Sequence, residues 1–140
     1  MNLYLIIAAV LSATAAALHI GCIIFGAAWY RFFGAGEQMA ILANQGSLIP
    51  TLVTSFIALI LFTWSAYALS AAGVIRKLPL IRTALIIITS IYLLRGIAGL
   101  FLIKNPGENS PEFWLWSSVI CIVYGMFYLV GTKQRWVQLK

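Results

Sequence analysis

The chain has 140 residues, of which 63% are hydrophobic and only 9% are charged. Soluble domains carry about a quarter charged residues, so this composition excludes a water-soluble globule and indicates a membrane protein. The formal net charge is +6, but the basic residues are scattered at the ends of apolar segments, which argues against a nucleic-acid-binding protein.

Four apolar segments predict four transmembrane helices within one domain, residues 1–140. Each segment has at least about 17 residues, enough at a rise of about 1.5 Å per residue to cross the hydrocarbon core. Strands are excluded, because four segments cannot close a barrel and open sheet edges are not tolerated in lipid. We therefore expect an all-α polytopic membrane protein, an antiparallel four-helix transmembrane bundle. The predicted spans are Leu3–Ala28, Leu48–Ala72, Thr83–Ile103 and Phe113–Val130.

Span one carries a small residue at every fourth position, which lets another helix approach closely. A neighbouring strip contains His19 and Cys22 and is expected to face the bundle interior, because the remaining strip is bulky and suits lipid. The small-residue ladder consists of Ala9, Ala13, Ala17 and Gly21.

The first loop turns at Gly34 and Gly36 and then contains Glu37. Residues 38–45 are predicted to form a short interfacial helix. Glu37 follows an apolar stretch that can dip back into the bundle, so it is the preferred partner for an arginine inside span three.

That arginine, Arg95, is the most informative residue in the sequence. An arginine within a span costs at least about 2.5–3.5 kcal/mol to insert and requires a partner or water. Arg95 lies about 12 Å from the predicted outer end of its span, and His19 about 14 Å from the outer end of span one. The two residues at similar depth predict a polar cavity between the helices that opens outward, above a more uniformly apolar inner half.

The cavity is expected to collect polar and aromatic residues from all four spans. The predicted ligand-binding residues are His19, Arg95, Glu37, Tyr92, Trp116, Ser117 and Thr54.

Alternative interpretations stay open for the individual residues. Arg95 either binds a ligand or forms a structural ion pair, and His19 either contacts a ligand or is a neutral histidine bonded across helices. Cys22 and Cys121 either meet in the bundle or serve as separate small buried residues. With one histidine and three carboxylates in the chain, no metal site is expected.

The distribution of basic residues predicts the orientation. The second loop, the start of span three and the C-terminal tail lie on one side, and the first and third loops lie on the other. The first side is therefore expected to be cytoplasmic, together with both termini. It holds Arg76, Lys77, Arg82, Lys133, Arg135 and Lys140, whereas the other side holds Arg31 and Lys104.

The plan resembles the DoxX-like group of small bacterial membrane proteins. The resemblance rests on four spans, on His19 and Gly21 in span one, and on the Tyr-Leu-Leu-Arg-Gly stretch Tyr92–Gly96. It implies a multi-pass protein of the bacterial inner membrane, and some relatives are associated with quinone-linked redox complexes. The chain lacks a recognisable cofactor-ligand pattern, so the sequence leaves both a redox role and the cofactor open.

The leading functional hypothesis is a membrane protein that binds a lipid-like or other small hydrophobic molecule in the outward cavity. One alternative is an oligomeric channel or transporter that uses Arg95, with the small-residue ladder building a homo-oligomer. Others are a membrane enzyme with His19 as general acid or base, and an assembly factor of a membrane complex.

Overall fold

The computed structural model describes residues 1–140 as six helices and no strand. Four of the helices are long and apolar enough to span a membrane, which confirms the predicted all-helical fold with four spans. The chain is thus a multi-pass membrane protein. The helices are α1 (Leu3–Phe25), α2 (Ala27–Phe32), α3 (Glu37–Asn44), α4 (Ile49–Ala72), α5 (Ile81–Phe101) and α6 (Pro111–Arg135).

Local capping chemistry explains where the helices begin and end. α1 ends at Phe25, before the predicted limit, because Gly26 adopts a φ of +76° that interrupts the helix. The chain then resumes as α2, which the sequence did not predict. α6 begins at Pro111, where the Ser110 side chain accepts a hydrogen bond from the Phe113 N–H (3.1 Å).

The four spans form two tightly packed helical hairpins. α1 packs along α4, and α5 packs along α6. The hairpins join mainly where α1 meets α6, with smaller contacts from α4 to α5 and α6. α1 and α5 occupy opposite corners, and no pair of their Cα atoms lies within 8 Å. Residues on α1 and α5 therefore meet only through long side chains.

Both termini lie at one end of the bundle, which we call the termini face. The Asn2 N–H donates to the Ala72 carbonyl (3.1 Å), and the Asn2 Nδ2 donates to the Gln134 Oε1 (2.7 Å). The opposite end, the loop face, carries α2, α3 and the loop of residues 102–110.

The buried core lies nearer the termini face. Leu5, Leu85 and Tyr128 are fully buried there, and Gly131 lets Leu5 pack directly on the α6 backbone. Towards the loop face, a smaller cluster around Cys22, Tyr30 and Ala40 belongs to the first hairpin and its loop alone.

The predicted small-residue ladder of α1 serves two different contacts. Ala9 is buried, and its carbonyl accepts a hydrogen bond from the Ser65 Oγ of α4 (2.8 Å). Ala17 is exposed, because a spacing of four residues drifts around a helix with 3.6 residues per turn. Gly21 is buried again, but under the Trp29 ring of α2 rather than against another span.

Candidate functional site

Arg95 lies inside α5, six residues before Phe101 and so about 9 Å from that end of the helix. Its Cζ lies 5.0 Å from the centroid of the Trp114 ring, and its Nη2 donates to the Ser117 Oγ (3.4 Å). The Nη1 atom is buried and has no hydrogen-bond partner. The one salt bridge in the structure lies elsewhere. The guanidinium therefore has neighbours that position it but no counter-ion.

The predicted pairing of Glu37 with Arg95 is wrong. Both carboxylate oxygens of Glu37 accept hydrogen bonds from Arg31, at 2.9 Å from Nε and 2.7 Å from Nη2. This hydrogen-bonded pair lowers the pKa of Glu37 and raises the pKa of Arg31. Arg31 is six residues away on the same exposed loop, whereas pairing with Arg95 would require the carboxylate to leave water.

The first loop is tied to the start of α6 across the loop face. The Glu37 backbone N–H donates to the Glu108 Oε2 (3.1 Å), and Gly34 packs against the Phe113 ring. We call these two contacts the loop-face bridge. Beside them lies a small polar space of about 140 Å³, lined by Arg31, Gly36, Glu37, Glu108 and Asn109.

A buried hydroxyl network joins the hairpins near mid-span. The Ser12 Oγ lies 2.9 Å from the Tyr92 OH and 2.7 Å from the Tyr128 OH. The Tyr128 OH donates to the Trp64 carbonyl (3.3 Å). Because that carbonyl only accepts, Ser12 donates to Tyr128 and Tyr92 donates to Ser12. All three hydroxyl protons are thus used, and we call this network the hydroxyl floor.

The floor corrects two predictions. Tyr92 was expected to line the outward cavity, but it is 7% exposed and its hydroxyl is held by Ser12. Its ring also packs against Trp64, Tyr124 and Tyr128, with centroids 5.1–5.5 Å apart. The termini half of the bundle is accordingly not uniformly apolar, since its polar groups are paired within the core.

His19 lies two turns beyond Ser12 on the same face of α1 and is half-buried. Its Nδ1 lies 2.7 Å from the Ala15 carbonyl oxygen, so Nδ1 carries the proton and donates. The Nε2 atom makes no hydrogen bond. The helices of His19 and Arg95 occupy opposite corners, and no hydrogen bond joins the two side chains.

The remaining predicted site residues divide between structural and lipid-facing roles. Thr54 is buried and pairs with the Tyr30 hydroxyl (3.1 Å), which fastens α2 to α4. Trp116 is 67% exposed on the outer surface of α6 and does not line a cavity. Of the predicted set, the structure brings only Ser117 to Arg95. The two thiols, Cys22 and Cys121, are free.

Between the hydroxyl floor and the loop-face bridge, the buried residues of the second hairpin pack within that hairpin. No side-chain hydrogen bond joins the two hairpins in this interval; every such bond lies at the floor, nearer the termini face, or at the loop-face bridge itself. The buried residues of α5 beyond the floor, Gly96 and Gly99, both pack on α6. On α6, Ser118 alone is buried before Tyr124, and it packs back on Gly99. We call this interval the loop-face cleft.

The outward cavity expected from the sequence stays a prediction. Half-buried polar residues on both hairpins at this depth were expected, but their packing partners were not. The sequence does contain a pattern that indicates the hydroxyl floor. Ser12, Tyr92 and Tyr128 each lie on the polar stripe of a helix, on the side that faces the bundle. The half-buried residues at the depth of the cleft include His19, Arg95, Ser117, Cys121 and Tyr124.

The chain matches no family model, no curated protein and no solved structure. The resemblance to DoxX-like proteins therefore stays a prediction, and the site is interpreted from its own geometry.

Proposed function

We propose that this protein binds an anionic amphiphile in the loop-face cleft, with the headgroup on Arg95. The observation that carries the proposal is a guanidinium within a span that has no counter-ion and one buried nitrogen without an acceptor. A carboxylate or phosphate group supplies both the missing charge and the missing acceptors.

The energetics favour an anion over a neutral ligand. An ionised group left unpaired in a low-dielectric setting is costly, and a hydrogen bond to a charged group contributes about 1.5–3 kcal/mol. Arginine presents two parallel N–H donors that match the two oxygens of a carboxylate or phosphate. The Trp114 ring and the Ser117 hydroxyl hold the guanidinium in place, which reduces the entropy lost on binding.

An apolar tail has a surface to occupy beside the headgroup. Leu94 and Ile97 neighbour Arg95 in α5, Ile120 lies three residues after Ser117 in α6, and each is about half exposed or more. The hydroxyl floor limits how deep a ligand can reach. His19, with its free Nε2, offers a second polar contact from the opposite hairpin.

The proposed orientation places the loop face outward in a bacterial inner membrane, with both termini cytoplasmic. It is supported by the excess of lysine and arginine at the termini face over the loop face. The ligand then enters from the outer leaflet.

The alternative functions have weaker support from the geometry. A conducting pore would have to pass the hydroxyl floor, where Ser12, Tyr92 and Tyr128 are packed and mutually bonded. General acid or base catalysis at His19 would need a partner group from another element. The hydrogen bond that His19 makes is to the Ala15 carbonyl of its own helix.

Binding is tested by native mass spectrometry of the full chain in mild detergent. Palmitate and lysophosphatidylglycerol serve as anionic probes, and monopalmitoyl glycerol serves as the uncharged control. We expect both anionic probes to bind, and Arg95→Gln to weaken them by about tenfold or more, which corresponds to the loss of a charge-assisted hydrogen bond. Lys104→Gln, which removes an exposed positive charge from the same face, should leave binding unchanged.

Two results would overturn the proposal. One is equal binding of charged and uncharged probes; the other is unchanged binding in Arg95→Gln. Flux of a small anion across liposomes that disappears in Arg95→Gln would instead support the channel function.

A further inference from the structure

A separate groove runs between α5 and α6 from the termini face to about the level of the hydroxyl floor. Its volume is about 530 Å³, within the range of sites for lipid-sized ligands. It extends from Trp136, beyond the end of α6, to Leu93, twelve residues into α5 and so about 18 Å along that helix. Its walls are formed by Ile86, Thr89, Ser90, Leu93, Leu129, Thr132, Lys133 and Trp136.

Two hydroxyl groups in the wall have no partner. Thr89 and Thr132 are each 7% exposed, and neither Oγ1 atom makes a hydrogen bond. A threonine inside a helix ordinarily donates to the carbonyl four residues earlier, as Thr14 and Thr63 do here. Buried polar groups without partners are rare, so the two hydroxyls indicate a missing acceptor.

The mouth of the groove is basic, and no acidic side chain lies at this face. Lys133 lines the groove, and Arg82 donates from Nη2 to the Trp136 carbonyl (2.6 Å) with its Cζ 4.5 Å from the Trp136 ring centroid. The Arg82 Nε is buried without a partner. All three carboxylates of the chain, Glu37, Glu108 and Glu112, lie at the loop face.

We infer that this groove binds one anionic phospholipid from the leaflet at the termini face. The phosphate contacts Lys133 and Arg82, one acyl chain lies along the apolar wall, and the ester carbonyls accept from the threonine hydroxyls. Charge complementarity at the mouth selects an anionic lipid over a neutral one, and the two unpaired donors in the wall fit the ester carbonyls of a glycerolipid.

Contact with the threonines requires a small local change. Both Oγ1 atoms are covered in the empty groove, so a rotation about χ1 must bring each hydroxyl to the ligand. No hydrogen bond opposes that rotation, and it exchanges one staggered position for another.

The inference is tested with the full chain by native mass spectrometry in the presence of phosphatidylglycerol and phosphatidylcholine that carry the same acyl chains. The wild-type chain should bind one phosphatidylglycerol in preference to phosphatidylcholine. Lys133→Gln should weaken that preference about fivefold, the expected contribution of one basic residue near an anionic headgroup. Lys77→Gln, an exposed charge on the same face outside the groove, is the matched control and should have no effect.

A second pair of variants tests the hydroxyls without changing charge. Thr89→Val with Thr132→Val keeps the side-chain shape and should reduce phosphatidylglycerol affinity by about fivefold or more while the fold remains, as checked by circular dichroism. Thr63→Val, on an exposed site of α4, should change nothing. In an Arg95→Gln background, which removes binding at the cleft, the Lys133-dependent preference for phosphatidylglycerol should persist, which separates the groove from the cleft.

The inference is overturned if the wild-type chain shows no preference for phosphatidylglycerol. It is equally overturned if Lys133→Gln and the double threonine variant bind like wild type. A dimer that forms without lipid and blocks the groove would assign it to a second copy of the chain instead.

Discussion

Ser12 joins both helical hairpins through a single hydroxyl group. It accepts from Tyr92 on α5 and donates to Tyr128 on α6, which in turn donates to the Trp64 carbonyl on α4. Hydrogen bonds between helices in membranes contribute about 0.6 kcal/mol each on average, because the unfolded chain also finds partners. Loss of a partner has a larger effect when the remaining group stays buried and unsatisfied.

Ser12→Ala should therefore destabilise the protein by about 1–3 kcal/mol, because the Tyr92 hydroxyl then has no acceptor in a buried site. The free energy of unfolding is measured by reversible denaturation in mixed micelles. Tyr92→Phe in the same background removes the orphaned hydroxyl, so the double variant should lose less stability than the sum of the single changes.

Thr14→Ala is the control for that measurement. Thr14 is exposed and bonds only to the Val10 carbonyl of its own helix, so its loss should change stability by less than about 0.5 kcal/mol. Additive effects of Ser12→Ala and Tyr92→Phe would contradict the network.

For individual residues, the sequence predicted the position of a side chain along its helix better than it predicted the hydrogen-bond partner of that side chain. The positions of His19 and Arg95 within their spans follow from hydrophobic pattern and helical rise, and in the structure each lies six residues before the end of its helix. The partner of Glu37 did not follow, because it depends on how a loop folds back, and Arg31 lies nearer than any residue in the bundle.

At the level of helices, the α5–α6 hairpin depends on close backbone approach. A Cβ atom on Gly96 would lie 2.9 Å from the Ser118 carbonyl oxygen and 3.1 Å from the Ile122 backbone nitrogen. Neither backbone atom can rotate away, so the two helices would have to separate. The hydrophobic pattern predicts the two spans, but it does not specify which glycines make the contact.

Gly96→Ala should consequently lower the free energy of unfolding by about 1–3 kcal/mol through overpacking, despite the higher helix propensity of alanine. Ala98→Val, which enlarges an exposed residue on the same helix, should change it by less than about 0.5 kcal/mol. Equal effects of the two substitutions would show that α5 and α6 do not pack as described.

The short helix α2 shows why element boundaries were harder to predict than spans. The apolar run of span one continues through Ala28, so composition alone extends the helix. Gly26 interrupts it, and the Tyr30 hydroxyl then bonds Thr54, which folds α2 across the top of α4. Both features depend on backbone conformation and tertiary contact rather than on hydrophobicity.

In the whole molecule, the two hairpins are joined at the termini half and at the loop-face bridge, with the cleft between these joints. The cleft lies on the loop-face side of the floor and the α5–α6 groove extends from the termini face to its level, so we expect the two proposed lipid sites to sample opposite leaflets. Which leaflet each site samples is set by the orientation of the chain in the membrane.

The orientation is predicted from the six basic residues at the termini face and the two at the loop face, Arg31 and Lys104. When the chain is expressed in a bacterial inner membrane, a fluorescent protein fused after Lys140 should fluoresce, because that fusion point lies in the cytoplasm. Alkaline phosphatase fused after Lys104 should be active, because it folds only outside. Replacing Arg76 and Lys77 with glutamine leaves four basic residues at the termini face against two at the loop face. This double variant should insert in both orientations. The reverse reporter pattern in the wild-type chain would show the opposite orientation in the membrane. The Arg95 cleft would then take its ligand from the cytoplasmic leaflet.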